Sequence, residues 1–305
     1  MSIVVFGSIN MDLVARTARL PAPGETVAGS AFTTVPGGKG ANQAVACARL
    51  GAPTLMVGRV GDDPFGVELR AALRSAGVDD SGVAVTTGAS GIAQIAVDGT
   101  GQNTIIVVPG ANGAVGAEDV ARLDAALPGA KALLLQLEVP LHAVAEAARA
   151  ARHHGVPVIL DPAPAPSTGL PDALYRLADI LTPNESEAEA LVGFALESDE
   201  DMRRAAERLR ARSGGAVLLK RGARGGLLLD DSGELWLPPF HVTVVDTVAA
   251  GDACNAGLAV ALAEGRPLAE AARWGMAAGA VAVTRPGAQA AMPTREELLA
   301  LLGES

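Results

Sequence analysis

Beyond residue 130 the apolar positions alternate between short continuous runs and longer stretches with helical spacing. Continuous apolar runs bounded by turn residues read as buried strands, and apolar residues at i, i+3, i+4 and i+7 read as helices. On that basis 133–137, 156–160, 179–181 and 216–219 are predicted strands, and 141–153, 185–192 and 199–212 predicted helices. Strands alternating with helices mean an α/β chain whose sheet is doubly wound, mostly parallel and flanked by helices on both faces.

The first 110 residues keep a different rhythm. A strand at 3–6 is closed by Gly7, a helix runs from the 36–44 turn through Leu50, and a strand at 53–60 precedes a helix at 65–76. Around these lie four extended pieces, at 13–15, 26–33, 91–97 and 103–108; the last two flank Asp98-Gly-Thr-Gly101, a hairpin signal. With little helix between them they read as a small β-sheet lid standing off the main body. The expected division is 1–12, 36–90 and 110–305 for the α/β body, and 13–35 and 91–109 for the lid.

Composition narrows the picture. The chain has 305 residues, 49% hydrophobic and 19% charged, which is enough for a large core, and only 3% aromatic, so that core is aliphatic. A net charge of −10 without a basic run argues against nucleic acid. The amino terminus has no charged leader pattern and no apolar run is long enough to span a bilayer, so the expectation is a cytoplasmic protein without membrane contact. Cys47 and Cys254, both in apolar helical contexts, read as core residues.

Candidate chemistry collects at strand ends and helix starts. Ligands of doubly wound sheets gather beyond the carboxyl ends of the strands, which singles out Glu138, Asp161, Asn184 and Lys220. Asn10 and Asp12 are two apart on extended backbone and share a face, a pairing suited to a polyhydroxyl ligand. Pro36-Gly-Gly-Lys-Gly-Ala-Asn42 is a glycine-rich turn entering a helix, with Lys39 and Asn42 on its first turn. It is not a Walker loop, because Thr33 stands where that pattern needs glycine and Gly40 where it needs Ser or Thr. Gly7-Ser-Ile-Asn lacks the glycines of a dinucleotide turn, which argues against a nicotinamide oxidoreductase.

The densest signal is 245–257. From Val248 to Ala263 only Asp252 and Asn255 are polar, so the predicted helix is buried. Its start offers free N–H groups and the positive end of the dipole to an anion. A carboxylate beside such a start suits phosphoryl transfer, or simply caps a tightly packed helix. The dipole is expected to lower the pKa of Asp252 and weaken it as a base.

Taken in order, Gly7-Ser-Ile-Asn-Met-Asp12, Gly37-Gly-Lys-Gly-Ala-Asn-Gln-Ala44, Gln136-Leu-Glu138, Asp161-Pro-Ala-Pro-Ala165, Thr182-Pro-Asn-Glu-Ser-Glu187, Val245-Asp-Thr-Val-Ala-Ala-Gly-Asp252 and Thr284-Arg-Pro-Gly-Ala-Gln289 resemble the ribokinase-like carbohydrate kinase family across almost the whole chain. The resemblance implies ATP-dependent phosphorylation of a sugar's primary hydroxyl, with D-ribose favoured and another sugar, a sugar acid or a nucleoside as the alternative. It makes Asp252 the catalytic base and the amides of Ala249, Ala250, Gly251 and Asp252 the anion hole. Asn10, Asp12, Gly38, Lys39, Asn42, Glu138 and Asp252 would bind the sugar. Asn184, Glu187, Lys220, Gly222, Gly225, Gly251 and Met276 would serve the nucleotide, with Glu187 reaching Mg2+ through water. A monovalent cation, K+, would sit among Asp246, Val248, Ala282, Arg285 and Gly287, and the lid strands would pair two subunits into a homodimer. The chain departs from the family pattern at Lys220, where threonine is usual, at Met276, where histidine is common, at Ala291, which lacks the usual hydroxyl, and at Ala253-Cys254, where an aromatic is customary at 254. Asn255 is expected to support the helix start rather than touch substrate. A sugar-binding protein without catalysis has no need of a carboxylate behind Ala-Ala-Gly.

Overall fold

Ile3 and Val5 pack into one hydrophobic core and Val4 and Phe6 into another, as the two-residue period of a strand buried on both faces requires. In the computed structural model, which describes residues 2–166 and 169–304, this alternation repeats along a nine-stranded sheet. In chain order the strands are β1 (Ser2–Phe6), β2 (Asn10–Thr17), β3 (Gly29–Gly37), β4 (Thr54–Gly61), β5 (Asp79–Thr86), β6 (Gly91–Val97) and β7 (Asn103–Val108). There follow β8 (Ala130–Leu135), β9 (Val158–Leu160), β10 (Ile180–Leu181), β11 (Ala216–Lys220), β12 (Gly226–Asp230) and β13 (Gly233–Leu237). The large sheet runs β13-β12-β11-β10-β9-β8-β1-β4-β5, parallel from β5 to β11 and antiparallel over its last two strands. The doubly wound, mostly parallel α/β fold expected from the pattern is the one found.

Helices cover both faces. One core is closed by Lys39–Arg49, Ala250–Ala263 and Leu268–Ala282, the other by Leu141–His153 and Asp199–Ser213. Ala250–Ala263 is buried from Asp252 to Ala261, and it rests on Leu268–Ala282 so closely that a Cβ at Gly257 would stand 2.8 Å from the Ala278 side chain. The interior is close-packed here; trimming a central side chain such as Leu134 to alanine is worth about 2–5 kcal/mol.

The lid is a separate four-stranded sheet, β3-β2-β6-β7. Its root reaches into the body: β2 starts at Asn10 and β3 ends at Gly37, so Asn10 pairs with Gly37 and Asp12 with Val35. Pro36 and Gly37, expected in a turn, are therefore extended. Proline has no N–H for a ladder, and β3 tolerates it as an edge strand. The opposite edge, β7, is exposed along its whole length.

Several elements lacked a predicted counterpart. β5 opens on Asp79-Asp80 and contains Gly82, which blurs its alternation, and it is held by parallel pairing to β4 at the sheet edge. Ala117–Ala126, Leu268–Ala282 and Arg295–Leu302 are helices, the second so rich in alanine and glycine that no apolar stripe stands out. His154 meets Asp124 at 2.9 Å, Asp63 caps Pro64–Ser75 by accepting from Gly66, and Asp230-Asp231 lies in the β12–β13 turn. Cys47 and Cys254 are free and buried, as expected.

Candidate active site

Because β1, β8, β9, β10 and β11 run parallel, their carboxyl ends open on one side of the sheet. Asn10 follows β1, Gln136 and Glu138 follow β8, Asp161 follows β9, Asn184 follows β10, and Lys220 ends β11. The starts of Lys39–Arg49 and Ala250–Ala263 meet over this rim.

Asp252 is the meeting point. It is buried, with Oδ2 accepting from Asn42 Nδ2 at 3.0 Å and Oδ1 from Gln43 Nε2 at 3.1 Å. The same Gln43 amide donates to Asp161 Oδ2 at 3.2 Å, and Gln43 Oε1 accepts from Gln136 Nε2 at 2.7 Å. One glutamine thus ties the carboxylates of Asp252 and Asp161 together. Burial pushes the Asp252 carboxyl up to about 6; Lys39 pulls it down, Asp161 pushes it up, and the amides of Asn42 and Gln43 pull it down. The lowered pKa expected at this helix start is not found; burial is the largest influence on the carboxylate and raises it.

Just before the helix, Ala249 has φ 59° and ψ 13°, the only positive φ outside glycine among the described residues. This left-handed residue turns the chain into the start of the helix. Among the described residues the N–H groups of Ala249, Gly251 and Asp252 have no backbone acceptor, while that of Ala250 leans toward Thr247 O at 3.3 Å. Asn255 is wholly buried and neither atom of its amide finds a partner among the described residues. The support it was expected to give the helix start is absent: the free amides lie at 249–252, and its side chain bonds to none of them.

The other wall is fixed by neighbours. Glu138 Oε2 accepts from Ser8 Oγ at 2.6 Å and from the Lys39 N–H at 3.1 Å. Asn10 Oδ1 accepts from Asn112 Nδ2 at 2.7 Å, and Asn112 also exchanges bonds with the Ile9 backbone. Gly38 holds φ 88°, and a Cβ there would lie 2.7 Å from the Asn10 N, so only glycine lets this turn pass so near β2. Asp12 is half-buried; burial pushes its carboxyl up to about 7, helped by the nearby charges of Glu138 and Asp252. The Lys39 ammonium has no partner within bonding reach among the described residues; burial pulls its pKa down, but Asp252, Asp161, Glu138 and Glu187 more than restore it, so it stays charged. Sequence reasoning gave no role to Gln43, Gln136, Asp161 or Asn112. Asp161 was visible as a strand end, and Gln43 and Gln136 lie inside motifs that carry the resemblance; Asn112 has no local signal.

Toward the far end, Asn184 and Glu187 form a capping box at Glu185–Val192, with Asn184 Oδ1 accepting from Glu187 N at 2.9 Å and Glu187 Oε2 from Asn184 N at 2.8 Å. Burial, with Asp161 nearby, raises the Glu187 carboxyl; Lys220 opposes this. Gly222 and Gly225 take positive φ in the turn between β11 and β12, and a Cβ at Gly226 would stand 3.4 Å from Met276 Sδ, so the methionine lies against this turn. Val244, Val245 and Val248 form an exposed apolar loop before the helix. Asp246 Oδ1 accepts from Val248 N and Oδ2 from Gly287 N, both at 3.0 Å, joining that loop to 284–291. Arg285 spends its guanidinium on Glu297, leaving only its carbonyl for a cation, and Ala291 is buried.

The profile of the pfkB family carbohydrate kinase matches residues 1–295. A ribokinase from Bacillus subtilis is 41% identical over 302 residues, 99% of either chain. The structure of a ribokinase from Thermotoga maritima superposes with a TM-score of 0.91 at 38% identity, covering all of both chains. That of an Arabidopsis thaliana ribokinase complexed with ribose and ATP superposes with a TM-score of 0.89 at 36% identity over 99% of each.

Proposed function

The chain belongs to the pfkB family of carbohydrate kinases, and from that premise we propose that it carries the terminal phosphoryl group of ATP to D-ribose, giving D-ribose 5-phosphate and ADP. It is an ATP-dependent sugar kinase; the choice of ribose is supported by the ribokinases it resembles over nearly its full length. The observation that carries the reading is Asp252, a buried carboxylate held by two amide donors beside free N–H groups at a helix start.

Asp252, with a pKa of about 6, is mostly ionised at neutral pH and close enough to it to accept a proton. It orients the sugar hydroxyl and takes its proton as the phosphoryl group arrives; in a loose transition state positioning matters more than basicity. The N–H groups of Ala249, Gly251 and Asp252 hold the developing charge. Asn10, Asp12, Asn42, Glu138, Gly38 and Lys39 line the sugar's place. Gly222, Gly225 and Met276 flank the nucleotide, with the apolar loop at 244–248 available to the base.

Magnesium would be met by Glu187 through water, where it supplies charge neutralisation of the ATP phosphates. The Glu187 carboxyl, crowded by Asp161, gains from a nearby cation. A potassium ion would take Asp246 with the carbonyls of Val248, Ala282, Arg285 and Gly287. The loops there are already joined through Asp246, so an ion would add to an existing closure, without the hydroxyl that Ala291 lacks.

The lid favours a second copy of this chain. Phe32 is 64% exposed and Ile106 62%, with Ile105, Val107 and Val108 open along the β7 edge, a surface suited to homodimer pairing. No helix among the described residues is long and apolar enough to cross a membrane.

The test is ADP release with ATP and a panel of ribose, 2-deoxyribose, hexoses, sugar acids and nucleosides, in potassium and in tetramethylammonium. Ribose should give the highest kcat/KM; another sugar leading would replace the substrate assignment. Equal rates in the two salts would remove the cation site.

A further inference from the structure

Lys220 is a buried cation in the cleft whose surroundings do not account for it. It ends β11, its N–H donates to Pro183 O at 2.9 Å, and it bridges to Asn184 on one side and pairs with Gly226 on the other, so its backbone is fixed from both directions. The residue is 9% exposed. An ammonium carries three donors, yet this one has a single partner, Asp161 Oδ1 at 3.4 Å. Charge-assisted bonds made to hold a structure are typically about 2.7–2.9 Å, and a buried charge left short of partners is costly. Two donors are unspent.

Their position says what they await. A Cβ placed on Gly251 would lie 3.4 Å from Lys220 Nζ, so the ammonium stands beside the helix start, next to N–H groups that are also unspent, in room that glycine leaves open. Burial pulls the Lys220 pKa down, but Asp161 and Glu187 outweigh it and the group remains charged. Asp161 can release Lys220 without becoming a bare carboxylate, because Gln43 Nε2 keeps its other oxygen occupied at 3.2 Å.

We propose that Lys220 leaves Asp161 to contact the transferring phosphoryl group of ATP at the Gly251–Asp252 helix start, acting as a catalytic cation of the transfer step. This rests on the kinase reading above and adds a residue to it. In the step, the bond between the γ-phosphorus and the β,γ-bridging oxygen breaks with its electron pair going to ADP. The bond from the sugar oxygen to phosphorus forms, and the hydroxyl proton goes to Asp252. Lys220 neither gains nor loses a proton. It supplies positive charge from the β11 side, beside the helix-start amides, as charge spreads over the phosphoryl oxygens.

The wild-type enzyme is assayed first: absence of sugar-dependent ADP formation would dispose of the kinase reading, not of this assignment. Given activity, Lys220→Met should lower kcat about 100-fold or more, leaving the sugar KM and the Kd for ADP alone within about threefold. Binding of ADP with aluminium fluoride and sugar, a mimic of the moving phosphoryl group, should weaken about as much as kcat. Lys220→Arg should recover part of the loss. Because Lys220→Met strands Asp161, the double variant Lys220→Met/Asp161→Asn removes both ends of the pair. A lysine that merely holds β11 to β9 would give an active double variant, whereas the proposal expects it to stay slow. Near-wild-type kcat in the double variant, or ADP alone weakened as much as the mimic complex, would overturn the assignment.

Discussion

On the side of the cleft assigned to the sugar, Asn10, Asn42 and Glu138 are each bonded to a neighbouring group, whereas on the phosphate side Lys220 and three backbone N–H groups hold donors in reserve. The first arrangement is built before the ligand comes. Ser8, Asn112 and the Lys39 N–H fix where the acceptors sit, and a sugar with its hydroxyls elsewhere leaves buried groups unpaired, a strong source of discrimination. The second arrangement is incomplete by design of charge: donors converge without acceptors until phosphate supplies them. On the proposed assignment, specificity is a property of side-chain geometry and turnover one of unspent positive potential.

Asp252 lies where the two halves join, so its removal should break the contrast most. Asp252→Asn is expected to lower kcat by about 10²–10⁴-fold with the sugar KM little changed, measured by coupled ADP release; near-wild-type turnover would end its role as base. In the wild type, log kcat/KM should rise with pH through about 6 and then level, as the carboxylate ionises.

Asn42→Ala tests whether the two halves are separable. Losing a buried partner costs about 1–3 kcal/mol, so the sugar KM should rise about 5- to 150-fold. Asn42 also donates to Asp252 and pulls its pKa down, so the pH midpoint should move upward in the same variant. An unchanged KM would remove Asn42 from the sugar site, and an unmoved midpoint would uncouple it from Asp252.

The smallest effect is on stability. Asp12 binds its proton more tightly folded than unfolded, so its contribution favours folding in acid and is lost as pH rises through about 7. Asp12→Asn escapes this loss, and Tm at pH 8 should rise by about 2 °C or more, with no gain at pH 4, while sugar binding weakens. An equal gain at both pH values would place the cause outside the carboxyl.

The sequence showed the regular strands and helices clearly, since two-residue and 3.6-residue periods are imposed by burial itself. β5 and Leu268–Ala282 escaped because acidic residues hid the one and small residues flattened the other. In the cleft, residues at strand ends could be found by topology alone. Gln43 could not be given its role, because bridging Asp252 and Asp161 requires partners 209 and 118 residues away. Asn112 fixes Asn10 across 102 residues from a short turn with no motif of its own.

Ala249 places a limit on how this enzyme can vary. With φ at 59°, the position admits glycine easily and asparagine or aspartate at moderate cost, while valine, isoleucine and threonine would crowd their own backbone. Glycine would relieve the strain but give back conformational entropy of similar size, loosening the amides without a clear change in stability. The mutational tolerance of this residue is therefore set by its main chain, and a substitution there that leaves every side chain of the cleft intact still re-aims the donors proposed to serve transfer.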